Sequence, residues 1–167
     1  MNSLFRFIAT GAWSGYFPIA PGTAGSALAI LCLVPVSDFS SVTFVLVTLL
    51  ISWIGIMSAA FMENSLGIED PSIVVIDEIA GILFSVAFLP ANWLTLMLAF
   101  FLFRLFDIIK PWPCRQAEKS GEWLTQHYPE NGWLAKNKGG IGIMLDDILA
   151  GIYTNMVIVI LTYYIFN

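Results

Sequence analysis

Charge is what this sequence is poorest in: 7 basic and 12 acidic residues among 167, or 11%. Beside 58% hydrophobic residues and a mean hydropathy of +0.82, that scarcity leaves more apolar surface than one soluble core of this length can bury. A soluble enzyme is thereby excluded, and residues 1–167 read as a single integral membrane domain. No basic run is present, which excludes nucleic acid as a partner. Histidine occurs once, as His127, so a phosphatase chemistry needing two histidines is excluded too. The cysteines, Cys32 in an apolar run and Cys114 beside Arg115, have neither metal-ligand spacing nor a disulfide framework. Six positions after Cys114 stands Ser120, where a cysteine phosphatase needs an arginine. The sequence also lacks the Walker spacing with its lysine, and a small-residue cleavage site near its start, so no removable signal peptide is expected.

Long apolar runs are what is there. Residues 4–13, LFRFIATGAW, are too short to span and aromatic enough to lie at a membrane interface. Residues 24–36, 42–62, 73–89, 93–109 and 148–166 then predict about five membrane-embedded helices, an all-α polytopic bundle. Before the first of these, Pro18, Pro21, Gly22 and Gly25 break helix, and Thr23 and Ser26 are candidate caps. Backbone N–H groups of a helix starting at Thr23 would suit a phosphate, although a Pro-Gly start is more often a plain turn. Residues 114–138 form the one soluble-looking cytoplasmic insert, predicted as a short amphipathic helix and a loop around Pro129, Asn131 and Gly132. A lipid-facing surface helix is favoured there over a lid, and His127 is expected to be solvated.

The few charges are not scattered. The turn at residues 90–92 makes its two flanking helices antiparallel, so Asp77 and Glu78 share a level with Arg104 and Asp107. Carried through five spans, the same parity puts Thr23, Glu63, Asp70, Asp77, Glu78, the Arg104–Lys110 face, Asp146 and Asp147 on one side. All seven Lys and Arg fall there too, which marks it as cytoplasmic by the positive-inside rule. Asp146 and Asp147 are expected at the mouth of an uncharged helix beginning at Ile148, at headgroup depth, where carboxylates are functional candidates by default. Helix capping is the blander alternative, but one Asp would suffice for it.

Many carboxylates, an Arg, a Lys and no essential His or Cys suit hard-metal phosphoryl transfer. Mg²⁺ prefers carboxylate and water oxygens and bridges them to phosphate, while Arg104 and Lys110 offset the phosphate charge. A cation-coupled transporter would instead place acids near the midplane of repeated, broken helices, and no repeat is seen. A purely structural role for the charges leaves several acids unmatched.

Four blocks, PGTAGS at 21–26, DPSIVVIDEIAG at 70–81, FRLFDIIKPWP at 103–113 and GGIGIMLDDILAG at 139–151, resemble the signature blocks of the phosphatidylglycerophosphatase A family. They cover nearly the whole chain in that family's order. The resemblance implies a magnesium-dependent enzyme of the bacterial inner membrane that removes the terminal phosphate of phosphatidylglycerophosphate, giving phosphatidylglycerol. The family's acidic pattern falls on Asp70, Asp77, Glu78, Asp107, Asp146 and Asp147, and its basic pattern on Arg104 and Lys110. The insert is longer than in some members. From both lines, Asp77, Glu78, Asp146 and Asp147 are expected to hold one or two Mg²⁺, with Asp70 or Asp107 as ligand or support. Arg104, Lys110 and the Thr23 helix start are expected to bind the phosphate of a bilayer phospholipid. Attack by water and by an Asp nucleophile both remain open, as do oligomeric state and a different lipid phosphate, such as a polyprenyl phosphate, as substrate.

Overall fold

The computed structural model describes residues 2–36, 41–90 and 92–166; the connector around Asp38 and Ala91 of the expected turn lie outside them. Within these residues every regular element is helical: α1 (Asn2–Ala9), α2 (Pro21–Leu33), α3 (Ser41–Leu66), α4 (Ile76–Ser85), α5 (Trp93–Ile109), α6 (Cys114–Ala117), α7 (Ser120–His127) and α8 (Gly132–Phe166), with short 3₁₀ turns beside α2. Among the described residues, two helices, Val42–Leu66 and Gly132–Tyr164, are long and apolar enough to cross a membrane. With 13, 10 and 17 residues, α2, α4 and α5 are shorter, so of the about five membrane-embedded helices expected, two have the length and composition of a full span. Outward faces are apolar: Leu46, Leu50 and Trp53 on α3, Phe101 and Ile108 on α5, and Met156 and Ile160 on α8 are all exposed. Hydroxyls inside the apolar helices are satisfied locally, as when Ser52 donates to Thr48 O at 2.8 Å, Ser85 to Gly81 O at 2.8 Å and Thr154 to Ala150 O at 2.9 Å.

Four local expectations are corrected. Thr23 and Ser26 are not caps: α2 begins two residues before Thr23, behind Ala20, and Ser26 Oγ donates back to Gly22 O at 2.9 Å. Proline at the first helical position fixes φ and lacks the N–H that would need a partner, so the helix starts there without a side-chain cap. The helix expected over 42–62 does not stop before Glu63, since α3 runs on to Leu66. The helix expected over 73–89 is only Ile76–Ser85, because the backbone leaves helical geometry at Val75 (φ -140°, ψ 7°), whose N–H donates to Ala9 O at 2.8 Å, and again at Val86 (φ -108°, ψ 4°). Finally, α8 starts at Gly132, so Asp146 and Asp147 lie well inside it and are not its N-terminal cap.

The glycines explain that last result. Gly139, Gly140 and Gly142 look like helix breakers in sequence, but a Cβ at each would overlap, respectively, the Glu63 carboxylate, the Ile56 carbonyl and the Glu118 carbonyl. They are surfaces against which α3 and the insert approach, the use small residues have between membrane helices. The insert expected over 114–138 ends sooner: α8 takes residues 132–138, and the part before it folds as α6 and α7 and docks on α8, where Gly121 meets the Lys138 backbone while Trp123 and Tyr128 stay exposed.

Helix α4 ends inside the bundle, where its last carbonyls need donors. Asn155 on α8 supplies them, donating from Nδ2 to Ser85 O at 3.1 Å and Ala87 O at 2.8 Å. An Asn155→Ala variant is expected to lose about 1–2 kcal/mol of stability, the cost of leaving these acceptors unpaired, read as a lower unfolding temperature in detergent.

Candidate active site

The two acid pairs converge. A cavity of about 280 Å³ is lined by Asp70, Asp77, Glu78, Arg104, Asp107, Lys110, Asp146 and Asp147, together with Pro21 and Gly22 at the start of α2. Every site residue expected from the sequence except Thr23 is there. Helix geometry leaves the Gly22 and Thr23 N–H groups without a carbonyl partner in their own helix, and of the two residues Gly22 lines the cavity. A Cβ on Gly22 would overlap Glu78 Oε1 and come within 2.9 Å of the Arg104 guanidinium, so only glycine lets α2 sit this close to that pair.

A parallel pairing of α4 and α8 sets the geometry. Ser85 faces Asn155 across 70 positions of sequence. The same offset pairs Gly81 with Gly151, whose backbones touch. One turn earlier it pairs Asp77 with Asp147, and these with Glu78 offer carboxylate oxygens all within 4.8 Å of one another. Phe103 of α5 closes the other side of Gly81. Side chains are largely shielded: Asp77 keeps 7%, Asp146 5% and Asp147 3% of its accessible surface.

Two cations divide the remaining acids. Arg104 lies 2.8 Å from Asp107 and 3.6 Å from Glu78, realising the i, i+3 pair on α5, and its buried Nε has no hydrogen-bond partner among the described residues. Lys110 stands just past the end of α5 in a left-handed conformation (φ 46°) and reaches Asp146 at 2.5 Å and Glu118 of the insert at 3.5 Å. Asp146 thus turns to Lys110, while Asp147 joins Asp77 and Glu78. Burial works against the Lys110 charge, but its hydrogen bond to Asp146 and the nearby Glu118 and Asp70 carboxylates outweigh that and raise its pKa above the ordinary lysine value. It is a fixed cation. Asp70, also left-handed (φ 44°), is exposed at the cavity's edge, where partial desolvation and the Glu118 and Asp107 carboxylates raise its pKa against the pull of Lys110.

Six carboxylates against two cations is an unbalanced cavity. At 4.8 Å two like charges repel by about 3 kcal/mol at an effective dielectric constant near 20. Asp77 Oδ1 and Glu78 Oε2 are buried with no hydrogen-bond partner among the described residues. An all-oxygen donor set with unpartnered carboxylate oxygens fits a hard divalent cation. Burial raises the pKa of the Cys114 thiol, so it stays protonated and offers no nucleophile. His127 is exposed, bonded to Trp123 O at 2.9 Å, and does not line the cavity.

Sequence reasoning did not find Glu118, Ser72 or the Gly81–Gly151 contact. Ser72 stood inside the Asp70 block as an available signal; Glu118 had none, because only the docking of the insert brings it to Lys110.

A family profile described as Phosphatidylglycerophosphatase A matches residues 7–125. A Bacteroides thetaiotaomicron protein that carries the provisional name phosphatidylinositol-3-phosphatase is 38% identical over 162 residues, covering 92% of this chain and 90% of that protein. Phosphatidylglycerophosphatase A of Escherichia coli K12 is 32% identical over 154 residues, covering 91% and 80%. Its namesake from Haemophilus influenzae is 32% identical over 161 residues, covering 95% and 89%. No solved structure matches.

Proposed function

The chain belongs to the phosphatidylglycerophosphatase A family, and on that premise we propose that it hydrolyses the terminal phosphate of phosphatidylglycerophosphate, releasing phosphatidylglycerol and phosphate. The observation that carries the catalytic reading is the meeting of Asp77, Glu78 and Asp147 beside Arg104 in one cavity. The whole chain acts as one membrane domain of the bacterial inner membrane, and its cavity opens at the cytoplasmic leaflet, where its basic residues gather. The lipid's acyl chains stay in the bilayer while the headgroup bends into the cavity.

Asp77, Glu78 and Asp147 hold Mg²⁺, with Asp70 and Asp146 as further or alternative ligands. When bound, the ion supplies charge neutralisation and Lewis acidity toward the phosphoryl oxygens. Arg104 binds the phosphate: its unpartnered Nε donates to one oxygen, and Asp107 and Glu78 keep its plane oriented. Lys110 adds a second positive charge whose position Asp146 and Glu118 fix. The Gly22 and Thr23 backbone N–H groups offer donors to a remaining phosphate oxygen. Asp107 lines the same cavity as Asp147.

The 38% relative's name favours a second headgroup, an inositol phosphate lipid, on the same machinery. The test is phosphate release by the purified protein in mixed micelles containing phosphatidylglycerophosphate, phosphatidylinositol 3-phosphate or a polyprenyl phosphate, each with Mg²⁺ and with chelator. Turnover is expected to be greatest on phosphatidylglycerophosphate, to vanish on chelation, and to drop about 100-fold or more in Asp77→Asn and Arg104→Ala proteins. Undiminished turnover after chelation and in both variants would remove these residues from the chemistry; preference for the inositol lipid would move the substrate, not the site.

A further inference from the structure

A separate hollow of about 500 Å³ lies between α1, α3 and the first turns of α8. It shares no lining residue with the acidic cavity. Its walls are Phe5, Met57, Phe61 and Trp133, and Lys136 stands at its rim. The walls are braced by ring contacts: Phe5 stacks on Phe61 at 5.5 Å, and Trp133 lies flat on Trp53 at 4.9 Å with 7° between the planes. Trp53 is exposed on the apolar outer face of α3 together with Leu46 and Leu50, so Trp133 joins the wall of the hollow to that surface.

Its charge is the reverse of the rest of the molecule's. The chain has an acidic excess, and the catalytic cavity and the neighbouring one around Glu63, Glu69 and Glu122 are both rich in carboxylates. This hollow has one lysine and no acid. Of the amides beside it, Asn64 donates to Ala60 O at 2.7 Å and Asn137 to Trp133 O at 2.8 Å, while Asn2 is neutral. Lys136 is exposed and forms no ion pair among the described residues, so its ammonium is available. An aromatic trough open to the lipid-facing surface and ending at a free cation has the two-part chemistry of a phospholipid: an apolar chain and an anionic head.

We infer that this hollow holds one anionic phospholipid from the bilayer, with its phosphate at Lys136 and the upper part of a chain against Phe5, Met57, Phe61 and Trp133, as a binding site distinct from the catalytic one. Trp53 and Trp133 are built-in reporters once the other four tryptophans, Trp13, Trp93, Trp112 and Trp123, are replaced by Phe in every protein compared. The full chain is placed in vesicles carrying either chain-brominated phosphatidylglycerol or chain-brominated phosphatidylcholine, and tryptophan quenching is followed as the brominated fraction rises. Half-maximal quenching is expected at about fivefold less of the anionic lipid, the preference one lysine supplies. Lys136→Gln is expected to merge the two curves, Lys136→Arg to keep them apart, and both to leave phosphate release at the wild-type rate. Trp133→Phe removes most of the difference between the lipids. Equal quenching by both lipids in the wild type, a preference that survives Lys136→Gln, or loss of turnover in that variant would each overturn the assignment.

Discussion

Replacing Asp147 by Asn is expected to lower phosphate release by about 1,000-fold, or about 4 kcal/mol of transition-state stabilisation, while leaving the protein folded and slightly more stable without metal. The two effects have one cause. Asp147 is 3% exposed and its carboxylate meets those of Asp77 and Glu78 within 4.8 Å. Neutralising it thins the crowding of like charges and removes one of the three carboxylates that could hold a cation together. The measurement pairs phosphate release with thermal unfolding in detergent. Added Mg²⁺ is expected to raise the unfolding temperature of the wild type but not of Asp147→Asn, since a ligand stabilises only the form that binds it. A variant that unfolds earlier than the wild type in chelator would mean that Asp147 serves structure, and one that turns over normally would end its assignment to the site.

Gly151→Ala is expected to cut turnover by about 100-fold although the residue touches nothing that reacts. Its added Cβ would overlap the Gly81 carbonyl oxygen and lie 3.1 Å from that residue's Cα, and backbone cannot swing aside as a side chain would. Helices α4 and α8 must then separate, one turn from Asp77 and Asp147. Misplacing catalytic groups by about 1 Å is enough for a hundredfold loss. Gly132→Ala, where a Cβ meets nothing within 4 Å, is the matched control and is expected to retain wild-type activity. Equal activity in both variants would show that the helix spacing does not govern the cluster.

Much of this site was legible in the linear sequence. Carboxylates are costly in an apolar chain, so the Asp77–Glu78 and Asp146–Asp147 pairs stood out by chemistry alone, and helix periodicity put Arg104 and Asp107 on one face. The structure brings all of them to one cavity. Helix starts were read less well. The last helix was expected to begin at Ile148, yet α8 runs from Gly132 straight through the glycines before Asp146, whose meaning lies in the neighbours they admit: Glu63, Ile56 and Glu118. Similarly, consecutive acids diverge by about 100° on a helix, but which of Asp146 and Asp147 meets the Asp77–Glu78 pair and which meets Lys110 depends on the rotation of α8 against α4.

By itself, then, the order of residues determined that this chain is helical and apolar, that its acids and its two site cations are brought within reach of one another, and that hard-oxygen phosphate chemistry is what they suit. Only the tertiary structure decided the partners: Asp147 with Asp77 and Glu78, Asp146 with Lys110, and the insert's Glu118 beside them. The physical reason is that helical period fixes which residues share a face, whereas the distance and rotation between two helices are set by backbone contacts such as Gly81 on Gly151, which no single segment contains.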